Sequence, residues 1–465
     1  MGTPPAPVAA WKWGVVWLLF LATVINYMDR QTVTNLAVPI KAAFTSDQSA
    51  AALDGLFNQK PDPDDGKRHL NNEGYGTIEA AFAITYALFQ VIAGFLVDRR
   101  SLWWLYVGAM VLWSAAGFAT GLVRTVEMLI VCRLMLGIGE AFNWPCAVAA
   151  IQRLLPREQH SLANGVFHSG ASLGAIGTPL LIFAMVDLGG AHWQSVFLVV
   201  GGAGAVWVVL WLAVVRGERA AAVDHRPARG DRADSPGLGE TLRAVFAGRA
   251  IWIALAVGLT VNLFWHFCRV WLPLYLDQDL GLGFKATGGT AIDLPWGTWV
   301  VTPRAASLFI LAAFYVAADL GALAAGWATR RLTRAGWSVE AARKAVMLGT
   351  SGLCLLTIPA VRSGSAAVAV PLLLLAAAGA MGGFANYFAL TQEVSPRHTG
   401  FVVGLVGALA WAVLTPVQPE IGRIADRIGT FVPVFQVMAC VPMVGSVIGL
   451  LWPAAPPASP GPARQ

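Results

Sequence analysis

Two charged residues, Asp29 and Arg30, interrupt the first apolar stretch of the chain. Residues 14–25 before them are predominantly apolar, and so are residues 33–43 after them. A membrane helix needs ~20 mostly apolar residues, so this stretch spans a bilayer only if both charges lie inside it. Each charge near a helix centre costs about 2.5–3.5 kcal/mol, which favours a polar cavity around the pair. We expect the pair to lie on a substrate or ion path; the alternative is a purely structural pairing between helices.

A second pair of charges, Arg133 and Glu140, lies in the fourth apolar segment, seven residues apart. Seven residues make two helical turns, so both side chains share one face and are separated by ~10 Å. This segment enters from the outside near Glu127, which places Glu140 past the midplane. The expected heights allow Asp29 to approach Arg133, while Arg30 and Glu140 flank the cavity.

These four residues suggest a way of coupling an anion to protons. A guanidinium has a planar fork of donors that matches a carboxylate, so Arg30 is the predicted anion ligand. Protonation of Asp29 or Glu140 would free arginine charge for the anion, so both are predicted proton carriers. Arg133 is their predicted partner, although a stabilising ion pair alone would also explain it.

Other polar side chains in the apolar segments suit a polyhydroxylated anion or mark an ion path. His266 and Arg269 are ionisable groups within the membrane, which favours a functional role. Hydroxyl and amide groups are also ordinary contacts between membrane helices, so a purely structural role for these side chains stays open. The predicted substrate-binding residues, beside Arg30, are Tyr27, Tyr86, Asn386, His266 and Arg269; Gln90, Ser169, Ser172 and Tyr387 are weaker candidates.

The composition indicates a polytopic membrane protein. Of 465 residues, 57% are hydrophobic and 12% are charged, and the mean hydropathy is +0.62; soluble domains have about 25% charged residues. The net charge of +6 is therefore attributed to loops and not to nucleic-acid binding. Five scattered cysteines have no metal-ligand or redox spacing, and no signal peptide is expected. Motifs of membrane proteases, serine hydrolases and nucleotide-driven pumps are missing, which argues against an enzyme.

Twelve apolar segments predict an all-α integral membrane protein. They form two groups of six, separated by a polar stretch, so we expect an N-terminal bundle (1–215), a cytoplasmic linker (216–250) and a C-terminal bundle (251–465). The segments lie near 13–43, 78–97, 102–122, 127–150, 162–185, 193–215, 251–276, 306–328, 345–361, 367–392, 399–420 and 430–452. Two long outer loops, 45–76 and 280–304, either cap the outer mouth or are surface insertions.

Loop charges predict the orientation of the chain. Loops after even-numbered segments, with the linker, hold 17 Lys and Arg residues, against 9 in the loops after odd-numbered segments. By the positive-inside rule, both termini and the linker are cytoplasmic.

The second half repeats features of the first. Residues 94–99 correspond to 326–331, Pro156 to Pro396, and Thr178 to Thr415, at offsets of 232, 240 and 237 residues. Parallel six-helix repeats around a central cavity are a common transporter architecture.

Several motifs resemble the major facilitator superfamily and its anion:cation symporter branch. The stretch Gly94-x-Leu96-x-Asp98-Arg99-Arg100 resembles the superfamily signature between the second and third helices. Residues 26–30 and 133–145 resemble the first-helix and fourth-helix motifs of the branch. The stretches 169–175, 271–276, 318–321 and 336–344 resemble those of bacterial hexuronate transporters. His168, His266 and Arg330 depart from the usual residues at their positions.

The resemblance implies proton-coupled symport of a small organic anion, such as a hexuronate or another sugar acid, by alternating access. It implies no cofactor or metal, a monomer in the cell inner membrane, and a gating motif at Gly94, Asp98 and Arg99. The residues leave open a transporter of another carboxylate, sodium coupling, and an anion receptor of the same fold that has lost transport.

Overall fold

The computed structural model describes residues 9–97, 99–224, 246, 248–282, 290–294, 297–394 and 399–451. Asp98 of the predicted gating motif and most of the linker lie outside the described residues. The division of the chain into two bundles joined by this linker therefore stays a prediction.

In the first half, the described residues form nine α-helices. They are α1 (Ala10–Asn35), α2 (Ala37–Ala43), α3 (Asn72–Val97), α4 (Leu102–Thr120), α5 (Val126–Glu140), α6 (Asn143–Leu154), α7 (Arg157–Ile182), α8 (Gln194–Val214) and α9 (Glu218–Asp224). A π-helical turn, Phe183–Leu188, extends α7, and α5 and α6 together form one span, Val126–Leu154.

The second half adds seven helices and a hairpin within the described ranges. The helices are α10 (Arg249–Gln278), α11 (Pro303–Arg334), α12 (Val339–Cys354), α13 (Thr357–Arg362), α14 (Ala366–Val394), α15 (Thr399–Ile428) and α16 (Val432–Gly449). The antiparallel strands β1 (Thr290–Leu294) and β2 (Gly297–Val301) lie in the second long outer loop, with Thr290 opposite Val301.

The all-α membrane fold predicted from the sequence is confirmed. In the described part of the chain, eleven spans are long and apolar enough to cross a membrane. The 30-residue helix α15 occupies the position of the remaining predicted segment. The boundary of the second segment differs, because α3 begins at Asn72 and not near residue 78.

Helices of the two halves pack tightly at the end of the bundle that is predicted to face outside, where α3 meets α15. A Cβ atom on Gly76 would lie 2.4 Å from the carbonyl oxygen of Gln418, and one on Gly422 would lie 2.2 Å from that of Asn72. Only glycine allows two backbones to approach so closely. The side chain of Asp426 accepts hydrogen bonds from the backbone N–H groups of Asn72 and Glu73, which joins the two helices further.

The first long outer loop is a folded lobe on the first half. Phe57 and Leu70 are buried in it and form an isolated β-bridge. The carboxylate of Glu127, in the first turn of α5, accepts a hydrogen bond from the backbone N–H of Ala50. These contacts fix the lobe to the outer end of α5.

Candidate anion-binding site

A cavity of about 100 Å³ lies between the two halves. Helices α1 and α7 of the first half and α10, α11, α14 and α15 of the second contribute its walls. The lining residues are Tyr27, Arg30, Gln31, Ala171, Ser172, Ala175, Trp265, His266, Arg269, Tyr315, Ala318, Asp319, Met381 and Trp411.

Arg30 is buried on the cavity wall and pairs with Glu140. Its Nε donates to Glu140 Oε2, which joins α1 to the C-terminal end of α5. Among the described residues, its buried Nη2 has no hydrogen-bond partner, and neither has Glu140 Oε1. A buried donor without a partner costs about 1–3 kcal/mol or more when charged, so a ligand oxygen reaching Nη2 would be stabilised.

Aromatic rings surround the Arg30 guanidinium. Its Cζ lies 4.3 Å from the ring centroid of Tyr86, 5.1 Å from Phe82, 5.5 Å from Tyr27 and 5.8 Å from Trp411. A cation within ~6 Å of a ring is attracted by the ring quadrupole, by about 2 kcal/mol or more where water is excluded. The rings therefore keep the guanidinium in place while its remaining donors stay available.

Arg133 has a different partner from the one expected. Its Nη2 donates to Glu79 Oε2 at 3.1 Å, and both side chains are almost fully buried, at 1% and 2% exposed. Asp29 makes no hydrogen bond to it. Successive residues of a helix point about 100° apart, so Asp29 and Arg30 cannot both face the same neighbours.

Asp29 lies against α4 and is absent from the cavity wall. Both carboxylate oxygens are buried and have no hydrogen-bond partner in the part of the chain that the structure describes. A Cβ atom on Gly117 would lie 2.5 Å from Asp29 Oδ1, so the glycine makes room for this carboxyl group. Burying an unpaired carboxylate is expensive, and adding a proton removes that cost.

Glu79 connects the two halves of the protein. Besides Arg133, its Oε2 lies 3.9 Å from Arg269 Nη2 on α10, and the Tyr75 hydroxyl donates to its Oε1 at 3.3 Å. Arg269 Nε also donates to His266 Nδ1 at 3.3 Å. Sequence reasoning missed Glu79 because the predicted second segment began at residue 78, which left Glu79 at its edge and not within the membrane. The signal was present, since Glu79 is an ionisable residue in an apolar run, as Asp29 is.

Trp411 is a second residue that the sequence did not reveal. Its ring lies between two cations, with Arg30 Cζ at 5.8 Å and Arg269 Cζ at 6.0 Å from its centroid. The His266 ring lies 4.3 Å from it. A single tryptophan among 19 carries no distinguishing signal in the sequence.

The other predicted site residues fall into three groups. Tyr27, His266 and Arg269 line the cavity, and Tyr86 packs against Arg30 of the cavity wall. Asn386 is buried and donates to the Gly382 carbonyl oxygen of its own helix at 3.4 Å, away from the cavity lining. Gly94 and Arg99 are exposed at the end of α3, where Arg99 lies 3.5 Å from the Phe95 ring centroid. In the described ranges no group of three or more His, Cys, Asp or Glu residues could hold a metal ion.

A charged central cavity between two halves of membrane helices is typical of transporters. The chain belongs to the Major Facilitator Superfamily, whose sequence profile matches residues 19–419. It is 26% identical to a hexuronate transporter of Escherichia coli K12 over 94% of this chain and 93% of that protein. It is 27% identical to a D-galactonate transporter of another Escherichia coli strain, over 93% and 94%.

Solved structures give the same fold. A bacterial homologue of the human lysosomal transporter Spinster, in an inward-facing and unoccupied conformation, superposes with a TM-score of 0.68 and 17% identity, over 98% of this chain and all of that one. A nucleoside transporter superposes with a TM-score of 0.66 and 12% identity, over 94% and 99%.

Proposed function

We propose that this protein is a proton-coupled symporter of a small organic anion of the sugar-acid class. The observation that carries the proposal is Arg30, a buried guanidinium on the cavity wall whose Nη2 has no hydrogen-bond partner among the described residues. A ligand carboxylate is the natural acceptor for such a donor. Relatives that carry hexuronate and galactonate support the class of anion.

The balance of buried charge supports coupling to protons. Among the described residues, the buried charged side chains and Asp319 of the cavity wall comprise three arginines and four carboxyl groups, which sum to −1 when all are ionised and His266 is neutral. These groups are Arg30, Arg133, Arg269, Asp29, Glu79, Glu140 and Asp319. An entering anion would increase the negative charge, and each proton bound to a carboxyl group reduces it. Uptake of an anion with protons is therefore favoured over uptake of the anion alone.

Glu140 and Asp29 are the proposed proton carriers. A proton on Glu140 weakens its pairing with Arg30, which then binds the anion more strongly. Asp29 has no hydrogen-bond partner within the described ranges, so a proton there disrupts no bond that the structure shows. Arg133 would hold Glu79 in position and act on Asp29 and Glu140 only through its charge.

The remaining proposed ligands would contact the body of the sugar acid. Tyr27, His266 and Arg269 already line the cavity, and Tyr86 stacks on Arg30. Asn386 would have to exchange its bond to Gly382 for one to the ligand.

Alternating access is the proposed mode of transport, in a monomer of the cell inner membrane with both termini cytoplasmic. The two bundles, 1–215 and 251–465, would rock about the cavity, and residues 216–250 would join them. Tight packing of α3 on α15 supports a state closed at the outer end. Gly94, Asp98 and Arg99 are proposed to control the cytoplasmic end.

Uptake by Glu140→Gln tests the proposal. Purified protein in liposomes should accumulate labelled galacturonate or galactonate when the pH gradient is inward, and the Gln variant should lose accumulation while it still binds anion. Glu340→Gln, in a cytoplasmic i,i+4 pair with Lys344, is the matched control and should accumulate normally. Full proton-driven accumulation by Glu140→Gln would overturn the assignment, and no uptake of any sugar acid by the unmodified protein would overturn the substrate class.

A further inference from the structure

A second polar group faces the cavity where α7 and α11 meet, away from the aromatic cage of Arg30. Ser172 Oγ donates to Asp319 Oδ1 at 2.9 Å, so one residue of each half contributes to it. Both residues line the cavity. The charge network of Arg30, Glu140, Glu79 and Arg269 makes no use of them.

Asp319 differs from Glu79 and Glu140 in its surroundings. Glu79 and Glu140 each contact an arginine, whereas Asp319 contacts no Lys, Arg or His among the residues that the structure describes. It is half-buried, so water in the cavity can solvate its charge. Its second oxygen, Oδ2, makes no hydrogen bond within that same part of the chain, and it has lone pairs for a ligand donor.

The cavity is therefore polarised. Arg30 and Arg269 present donors on one part of its wall, and Asp319 presents an acceptor on another. A ligand carboxylate bound at the arginines leaves the far end of a six-carbon chain to meet Asp319. A hydroxyl group there can donate to Oδ2, whereas a second carboxylate would face an unpaired negative charge in a partly desolvated site.

We propose that Asp319, oriented by Ser172, is a specificity-determining residue that selects hydroxylated monocarboxylates and rejects dicarboxylates. This inference rests on the proposed function, since it assigns the other end of the same ligand. Discrimination arises from repulsion of the wrong ligand as well as attraction of the right one.

Galactonate and galactarate form a matched pair of probes. They have the same six-carbon chain and the same configuration at the inner carbons, and they differ in a terminal CH₂OH or carboxylate. Binding of each to the full-length purified protein at pH 7 should favour galactonate at least tenfold. Asp319→Asn keeps an acceptor oxygen and removes the charge. It should therefore lower the preference for galactonate over galactarate to about threefold or less, mainly because galactarate binds more tightly.

Asp54→Asn is the control, because it removes a carboxylate from the outer lobe, where Asp54 pairs with Arg68. Its ratio should equal that of the unmodified protein. Asp319→Ser, which also removes the charge, replaces the Asn variant if that variant does not fold. An unchanged ratio in the charge-free variant, or equal binding of both probes by the unmodified protein, would overturn this inference and leave the proposed function standing. Failure of the unmodified protein to bind either probe would overturn this inference, and failure to bind galacturonate as well would overturn the proposed function.

Discussion

Replacement of Glu79 by Gln gives the sharpest test of the buried charge network. At 3.1 Å and an effective dielectric constant of ~20, the Glu79–Arg133 attraction is about 5 kcal/mol. Removing one partner of a buried pair typically costs about 3–5 kcal/mol, because the other charge remains buried without compensation. Gln keeps a carbonyl oxygen that can accept from Arg133, so we expect a loss near 3 kcal/mol.

Thermal unfolding of the detergent-solubilised protein measures this loss. A destabilisation of ~3 kcal/mol should lower the Tm by several degrees, on the basis of about 2–4 °C per kcal/mol in chains of 150–250 residues. Glu73→Gln is the matched control on the same helix. Glu73 pairs with Arg423 at 2.6 Å in a partly exposed position, and such pairs contribute little. Its Tm should stay near that of the unmodified protein.

A double variant separates the charge argument from a packing defect. Glu79→Gln with Arg133→Gln removes both charges of the pair, so it should be more stable than Glu79→Gln alone. Two results would refute the reasoning. One is a Glu79→Gln variant with unchanged Tm; the other is a double variant that is no more stable than the single one.

Three further predictions concern packing and ligand binding. Gly117→Ala should weaken proton-driven uptake, because its Cβ would lie 2.5 Å from Asp29 Oδ1, whereas Gly108→Ala on the same helix meets open space and should transport normally. Gly422→Ala should separate the outer ends of α3 and α15, since its Cβ would lie 2.2 Å from the Asn72 carbonyl oxygen. A cysteine introduced at that end should then react faster with a thiol-reactive probe. The control is the same cysteine in Gly407→Ala, where the atoms nearest to the new Cβ are at 3.9 Å. Trp411→Ala should weaken sugar-acid binding about tenfold, because it removes the ring that lies near both Arg30 and Arg269. Trp411→Phe should retain most of the affinity, as titration of the two variants with a sugar acid would show. Equal losses of affinity in the two variants would contradict a role for the ring face.

The sequence predicts the membrane fold and the presence of a charged site well, for a simple physical reason. Apolar length is a direct requirement of the bilayer, and each charge inside such a stretch is costly enough to be informative. Arg30 and Glu140 were expected to flank one cavity, and the structure brings them into contact across 110 positions of the chain. Glu79 is also a charge inside an apolar stretch. It was missed because the predicted segment began at residue 78 and α3 begins at Asn72, so Glu79 was expected at the edge of the membrane.

The partners of these charges could not be predicted in the same way. Helix rise gives the height of a residue in the membrane, but the direction of its side chain depends on how each helix is rotated against its neighbours. Asp29 and Arg133 satisfy the height condition, yet Asp29 points to Gly117 of α4 and Arg133 to Glu79 of α3. The apolar pattern of the sequence does not show a rotation of a helix by 100°, because α1 carries apolar residues on most of its faces. The wall of the cavity is therefore a property of packing, and Asp319 and Trp411 acquire their surroundings only when the two halves meet.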